Sequence, residues 1–237
     1  SALAIAPTLP LALRGNAPAS SYAPSSLPEA SDAFMDRVGM MYRDDPQLGG
    51  LWSRALETQA MAGDDGLRNL RDAAAAGELA ASLMRDEDGA RIAMMELGGW
   101  DTHANQRGAF NRVAGQLDAL LGAYRSGMGS AWSDTLVVVA TEFGRTARYN
   151  GTNGTDHGTA SAALMMGGAV RGGRVLADWP GLRDGDLHEN RDLRPTIALE
   201  NVLAGSIADH MQLDPQLALA MLFPGRAGAP TSGLLRV

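Results

Sequence analysis

The chain has 237 residues, 45% of them hydrophobic, and a net charge of −7, which suits one large α/β domain with a sizeable core. All 20 basic residues are arginine, so lysine Schiff-base and P-loop chemistry are excluded, and the lack of a basic cluster argues against a nucleic-acid partner. The absence of cysteine excludes disulfides, thiolate catalysis and cysteine-bound zinc. No apolar run approaches the ~20 residues of a membrane span. The first residues lack the charged region of a signal peptide, so any targeting sequence is expected upstream of Ser1.

The first third of the chain is predicted to contain two short strands and three helices. Strands are expected at residues 2–6 and 11–14, and the Pro-, Ser- and Ala-rich segment 16–28 is expected to be an extended surface loop. The helices carry no motif and are assigned to a layer that covers a sheet: residues 31–44, where Ser31 and Asp32 can cap the first turn, then 49–62 and 66–85.

Two apolar strands flank a long amphipathic helix in the middle of the chain. The strand 91–97 leads into Gly-Gly-Trp-Asp-Thr-His, residues 98–103, and the strand 135–141 leads into Glu-Phe-Gly-Arg-Thr, residues 142–146. The helix between them spans about 105–126. This arrangement predicts a right-handed βαβ unit with two buried, parallel strands. Polar side chains at the C-terminal ends of the two strands should therefore meet at one edge of the sheet, where ligands bind in α/β folds.

The later part of the chain begins with a loop rich in glycine and asparagine. This loop, 147–156, contains the turn signals Asn150-Gly151 and Asn153-Gly154 and ends at Asp156 and His157. The remaining predicted elements are a strand at 160–166, a turn at 167–173, an edge strand at 174–177, and helices at 195–208 and 215–222 that each begin with proline.

Asp101 and His103 are the best-supported pair of metal ligands. Residues two apart at a strand end lie on the same side, so both side chains can reach one ion. The alternative is that Asp101 caps the following helix and His103 only contacts it. Glu142 can also ligate, or can instead pair with Arg145 or Arg148.

His157 supplies a second imidazole, and Asp156 can either ligate or orient His157 by accepting its hydrogen bond. Arg145 can bind an anionic substrate group through two parallel hydrogen bonds. His188 and His210 are expected to be structural or solvated. The pattern as a whole predicts a divalent-metal site (Zn, Mn, Mg or Ca) with these ligands: Asp101, His103, Glu142, Asp156 and His157.

Four motifs together resemble the DUF1501 family of bacterial exported proteins, which is related to the alkaline phosphatase and sulfatase superfamily. They are GGWDTH, LVVVATEFGRT, GTDHG and ALMMGGAVRGGRV, in this order between residues 98 and 175, and the resemblance covers nearly all of the chain. The resemblance implies a three-layer α/β/α sandwich with a mostly parallel sheet, seen as the C-terminal portion of a single domain: a helical layer at 31–86, a sheet core with the motifs at 91–177, and terminal helices at 195–223. It also implies that an upstream segment, possible as a separate chain, supplies the nucleophile and one more metal ligand.

The activity implied by the resemblance is metal-dependent hydrolysis of small phosphate or sulfate esters in the periplasm or outside the cell. The chain departs from the superfamily pattern at Phe143, which stands where a metal-binding histidine is common. This departure keeps a second hypothesis open, that of an exported, non-catalytic binding or assembly protein with a degenerate metal site. With the nucleophile expected upstream, this chain alone should be nearly inert on aryl phosphates and sulfates.

Overall fold

The computed structural model describes residues 2–24, 30–62 and 72–236. The chain divides into two compact units. The first takes in the residues up to 99 together with 111–131, and the second takes in 100–110 and the residues from 132 onwards. No helix in the described ranges is long and apolar enough to cross a membrane.

A small parallel sheet lies in the first unit, with its strands in the order β2-β1-β3. Its strands are β1 (Ala2–Ile5), β2 (Ala19–Tyr22) and β3 (Ile92–Met95). The central strand β1 forms the apolar core of this sheet, because Leu3, Ala4 and Ile5 are almost fully buried. Sequence-distant segments pair on both sides of it, with Ala2 opposite Ala19 and Ile92.

Four helices contribute to the first unit: α1 (Asp32–Tyr42), α2 (Leu48–Ala62), α3 (Ala73–Met84) and most of α4 (Gln106–Met128). Ser31 caps α1 by accepting a hydrogen bond from the backbone N–H of Phe34, as predicted. Helices α3 and α4 pack backbone to backbone at Gly77, where an added Cβ would lie 2.2 Å from the carbonyl oxygen of Leu120. Only glycine allows this approach.

The second unit contains two short antiparallel pairs of strands and two helices. They are β4 (Val137–Val139), β5 (Gly144–Arg145), β6 (His157–Gly158), β7 (Leu164–Met166), α5 (Leu199–Met211) and α6 (Pro215–Leu222). Strand β4 pairs with β7, and β5 pairs with β6 to form a two-stranded ribbon. Asp214 caps α6, and Pro215 occupies its first turn as the sequence predicts.

The mixed α/β class and the order of the helices are confirmed, and the parallel sheet that is found is small. One predicted strand pairing is wrong. The strands predicted at 91–97 and 135–141 do not lie parallel in one sheet, because β3 pairs with β1 and β4 pairs antiparallel with β7. Both strands are also only half-buried, and Ile92 is exposed. An apolar run signals a strand but does not specify its neighbour.

Four further predictions differ from the structure. Residues 11–14 form a 3₁₀ turn at Leu11–Leu13 rather than a strand, since Pro10 sets the turn. The segment 16–24 is not only loop but includes β2, which completes the sheet. Residues 174–177 form no strand. Helix α5 begins at Leu199 rather than at Pro195. The parts of the predicted loop at 25–28 and of the predicted third helix at 66–71 lie outside the described residues.

Candidate metal centre

Hydrogen bonds connect the start of α4 to the loop 150–155 within the second unit. The backbone N–H of Gln106 donates to the carbonyl of Asn153 (2.9 Å), and the N–H of Thr155 donates to the carbonyl of Thr102 (3.2 Å). The loop crosses the chain so closely that a Cβ on Gly154 would lie 2.0 Å from the carbonyl carbon of His103. Loop carbonyls thus satisfy the N–H groups that open α4, and the carboxylate of Asp101 is left for other partners.

The β5–β6 ribbon brings the second imidazole to the same place. Arg145 and His157 are direct partners in the register of the ribbon. The ring of Phe143 stacks on the imidazole of His157, with centroids 4.2 Å apart and planes 9° apart. The guanidinium carbon of Arg145 lies 5.0 Å from the centroid of the same phenyl ring. His157 is therefore fixed by its strand and by an aromatic neighbour.

Two imidazole nitrogens converge on one carboxylate oxygen. Nε2 of His103 lies 2.9 Å from Oδ1 of Asp101, and Nε2 of His157 lies 2.8 Å from the same oxygen. One potential ligand atom from each of these residues falls within 4.8 Å of the others. The three side chains are between 48% and 57% exposed, so a small molecule can approach them from solvent.

Asp156 contacts His103 rather than His157. Its Oδ1 lies 3.1 Å from Nδ1 of His103, the nitrogen on the far side of the ring from Asp101. Asp156 can therefore orient the ring of His103, an arrangement that is common where a histidine binds a metal. The sequence predicted this contact for His157, whereas the structure shows it for His103. Asp156 itself does not belong to the three-residue group.

The carboxyl groups of Asp101 and Asp156 are both held ionised by these contacts. The hydrogen bond from His157 is the main cause that lowers the pKa of Asp101, and the nearby charges of His103 and Arg145 lower it further. The hydrogen bond from Asn150 is the main cause that lowers the pKa of Asp156, followed by the one from His103. Two anionic carboxylates beside two imidazoles form a site suited to a cation.

Arg145 is bound to three oxygen atoms of the site's own framework. Its Nη1 donates to the carbonyl of Thr155 (2.8 Å), and its Nη2 donates to the carbonyl of Trp100 and to Oδ1 of Asp101 (3.2 Å). Its side chain is 21% exposed. This geometry ties Asp101 to the segment that carries His157. Binding of a substrate anion by Arg145 stays a prediction.

Glu142 is not brought into the group. It is exposed, and among the described residues its carboxylate makes no hydrogen bond or ion pair. The alternative pairings also go elsewhere, because Arg145 contacts Asp101 and Arg148 contacts Asp184. Glu142 follows β4, and β4 does not share a sheet with the strand before Asp101. The expected meeting at a shared sheet edge therefore does not occur.

Several residues that hold the site were not singled out by the sequence. Asn150 was interpreted only as part of a turn, yet its side chain donates to Asp156 and to the carbonyl of His103. Arg191 donates to the carbonyl of His157 (3.1 Å), and the buried carboxylate of Asp192 accepts a hydrogen bond from Thr159 (2.9 Å). The Arg191-Asp192 pair forms no recognisable sequence motif, whereas Asn150-Gly151 is a turn signal that could have drawn attention to Asn150.

Comparison with known protein families identifies a match that covers most of the chain. The model of the family described as "Protein of unknown function (DUF1501)" matches residues 6–222. No curated protein gives a significant match to the chain, and no solved structure does so. The match covers every residue of the site described above.

Proposed function

The chain belongs to the DUF1501 family, and we propose that it binds one divalent metal ion through Asp101, His103 and His157 and acts as a metal-dependent hydrolase of phosphate or sulfate esters. The observation that carries the proposal is the convergence of two Nε2 atoms on one carboxylate oxygen, at 2.8 and 2.9 Å. A nitrogen lone pair and a carboxylate oxygen repel each other at this distance unless a proton or a metal ion lies between them.

The contacts of His103 strengthen this argument. Both of its nitrogens face carboxylate oxygens, Nδ1 towards Asp156 and Nε2 towards Asp101. A neutral imidazole carries a single N–H and can satisfy only one of them. With Nδ1–H donated to Asp156, the lone pair of Nε2 points towards Asp101 and His157, where a cation is required. A proton or a metal ion can meet this requirement, and the second imidazole favours the metal.

The donor set fits a catalytic zinc-type site better than a magnesium or calcium site. Two imidazole nitrogens and one carboxylate oxygen are the three protein ligands of many catalytic zinc centres, which keep a further position open. Magnesium and calcium, in contrast, are bound almost entirely by oxygen ligands. Ligands of a tetrahedral ion at ~2.1 Å lie roughly 3.4 Å apart, so ligating atoms within 4.8 Å need only small side-chain adjustments.

The chain's own residues can then be assigned roles. When bound, the ion would supply Lewis-acid polarisation of an ester oxygen and lower the pKa of a water molecule. Asp101, His103 and His157 hold the ion, and Asp156 fixes the ring of His103. Arg145 holds the carboxylate of Asp101 and contributes positive charge where an anionic ester would lie. The half-exposed ligands leave the substrate a path to the centre.

The second hypothesis, a non-catalytic binding or assembly protein, is favoured by the state of the nearby hydroxyl groups. Thr141 donates to the carbonyl of Phe143, and Thr146 donates to the carbonyl of Arg148 (3.1 Å) while accepting from the N–H of Asp156 (3.2 Å). Neither hydroxyl is poised as a nucleophile.

The hydrolase proposal also keeps three expectations that come from the family resemblance alone. They are a nucleophile in an upstream segment, a three-layer sandwich of alkaline-phosphatase type, and export from the cytoplasm.

Anion binding separates the two hypotheses without requiring turnover. Orthophosphate and sulfate are titrated into the zinc-treated and the metal-free protein, and binding is followed by calorimetry. The hydrolase proposal predicts anion binding that depends on the metal and is lost in the Asp101→Ala, His103→Ala double variant, whose fold is checked by circular dichroism. Metal binding without any metal-dependent anion binding would favour the non-catalytic protein.

A further inference from the structure

Asn150 makes more side-chain hydrogen bonds than any ligand of the candidate centre, and they fall into two sets. Its Oδ1 accepts from the backbone N–H groups of Thr152 (3.0 Å) and Gly154 (3.0 Å), and the hydroxyl oxygen of Thr152 lies 2.9 Å away. Its Nδ2 donates to the carbonyl of His103 (3.0 Å) and to Oδ1 of Asp156 (3.0 Å). The acceptor bonds close the loop 150–155, whereas the donor bonds reach the metal centre.

The orientation of this amide is determined by its neighbours. The two backbone N–H groups at Oδ1 can only donate, and both groups around Nδ2 can only accept. Rotating the amide by half a turn would face donors with donors and acceptors with acceptors, so one orientation satisfies the site. The two N–H groups of Asn150 are thus directed at His103 and Asp156.

We propose that Asn150 is a positioning residue of the metal site, an inference that rests on the proposed function. Asn150 fixes the carboxylate of Asp156 and the backbone of His103. His103 therefore keeps its proton on Nδ1 and presents Nε2 to the metal. The oxygen of Asp156 that Asn150 contacts is the one that faces Nδ1 of His103. Without this amide the carboxylate can rotate away. The tautomer of His103 with its proton on Nε2 then becomes more favourable. This proton forms a hydrogen bond with Asp101 and blocks the nitrogen that would bind the metal.

The variant Asn150→Asp separates the two sets of hydrogen bonds. A carboxylate of the same shape still accepts the two backbone bonds that close the loop, but it has no N–H to donate to His103 or Asp156. The loop is therefore retained while the site loses its anchor. The matched control is Asn153→Asp, which makes the same change of charge three residues away. Asn153 is exposed, has a φ of 56° that aspartate tolerates, and makes no side-chain hydrogen bond with a described residue.

The first readout is the tautomer of His103, measured by ¹⁵N NMR on the metal-free protein at a pH where both imidazoles are neutral. We expect Nδ1–H in the wild type and in Asn153→Asp, and a shift towards Nε2–H in Asn150→Asp. An unchanged tautomer in Asn150→Asp would overturn the proposal. Because no metal is present, this result does not depend on whether the proposed function is correct.

The second readout is zinc affinity by calorimetry. We expect Asn150→Asp to bind zinc about 10–100-fold more weakly than Asn153→Asp, the usual loss when a group that orients a metal ligand is removed. Equal affinities of the two variants would overturn the proposal, whereas no zinc binding by the wild type would refute the proposed function instead. Should Asn150→Asp fail to fold, Asn150→Ser is measured in its place and judged by the same two outcomes.

Discussion

Gly154 offers a direct test of how the site is held together, because it is the point of closest approach between the loop 150–155 and the segment that carries His103. An added Cβ would lie 2.0 Å from the carbonyl carbon of His103 and 2.1 Å from its oxygen. Ordinary carbon contacts are about 3.5 Å, so the variant Gly154→Ala must move the two segments apart by roughly 1.5 Å. Such a shift breaks the hydrogen bonds that Thr152 (2.7 Å) and Asn150 (3.0 Å) donate to the same carbonyl.

We therefore expect Gly154→Ala to lower the free energy of unfolding by about 1–3 kcal/mol, the usual cost of forcing extra atoms into a packed contact. Metal affinity should fall about tenfold or more, since the groups that orient His103 are displaced. Urea unfolding and zinc calorimetry measure the two effects. Gly151→Ala is the control, because its Cβ would meet no atom within 4 Å in the same loop. If the two variants behave alike, the loop does not position His103.

Two further predictions concern the aromatic neighbour of the site and the buried carboxylate behind it. Phe143→Leu removes the ring that stacks on His157, so we expect metal affinity to fall about two- to tenfold. Phe143→Tyr is the control, because it keeps the stacked ring. Equal losses of affinity in both variants would contradict this prediction. Burial raises the pKa of Asp192, but hydrogen bonds from Arg191 and Thr159 outweigh it and lower the pKa below its usual value. This carboxylate therefore stabilises the fold above the ordinary aspartate pKa of about 3.9, and the stabilisation is lost as pH falls through the lowered pKa. Urea midpoints measured against pH should fall less steeply in acid for Asp192→Asn, and parallel curves would refute the assignment.

The sequence predicted most helices well because their ends carry chemical signals. Ser31 and Asp214 accept hydrogen bonds from the first turns of α1 and α6, and Pro215 begins the second of these helices as expected. Strand pairing was predicted poorly. Hydrogen bonds between strands join residues far apart in the chain, and the alternation or apolarity of a strand does not identify its partner. Ile92 in β3 therefore pairs with Ala2 rather than with the strand that follows α4.

The candidate site was partly predictable for a different reason. Asp101 and His103 are two residues apart, so local geometry alone keeps them close. The approach of His157 depends on the β5–β6 ribbon and on the hydrogen bonds of the loop 150–155, none of which the sequence specifies without the fold. Glu142 was expected to join them through a shared sheet edge that the structure does not contain. That Asp156 contacts His103 rather than His157 likewise became visible only from interatomic distances.

The central claim, that Asp101, His103 and His157 hold a divalent metal, is tested most directly by zinc calorimetry on single histidine variants. The chain contains four histidines, two within the group and two outside it, so His188→Ala is a matched control for His157→Ala. The account predicts one zinc ion per chain for the wild type and for His188→Ala, and an affinity reduced by at least about tenfold in His157→Ala. Absence of zinc binding by the wild type, or equal affinity in the two variants, would contradict the account.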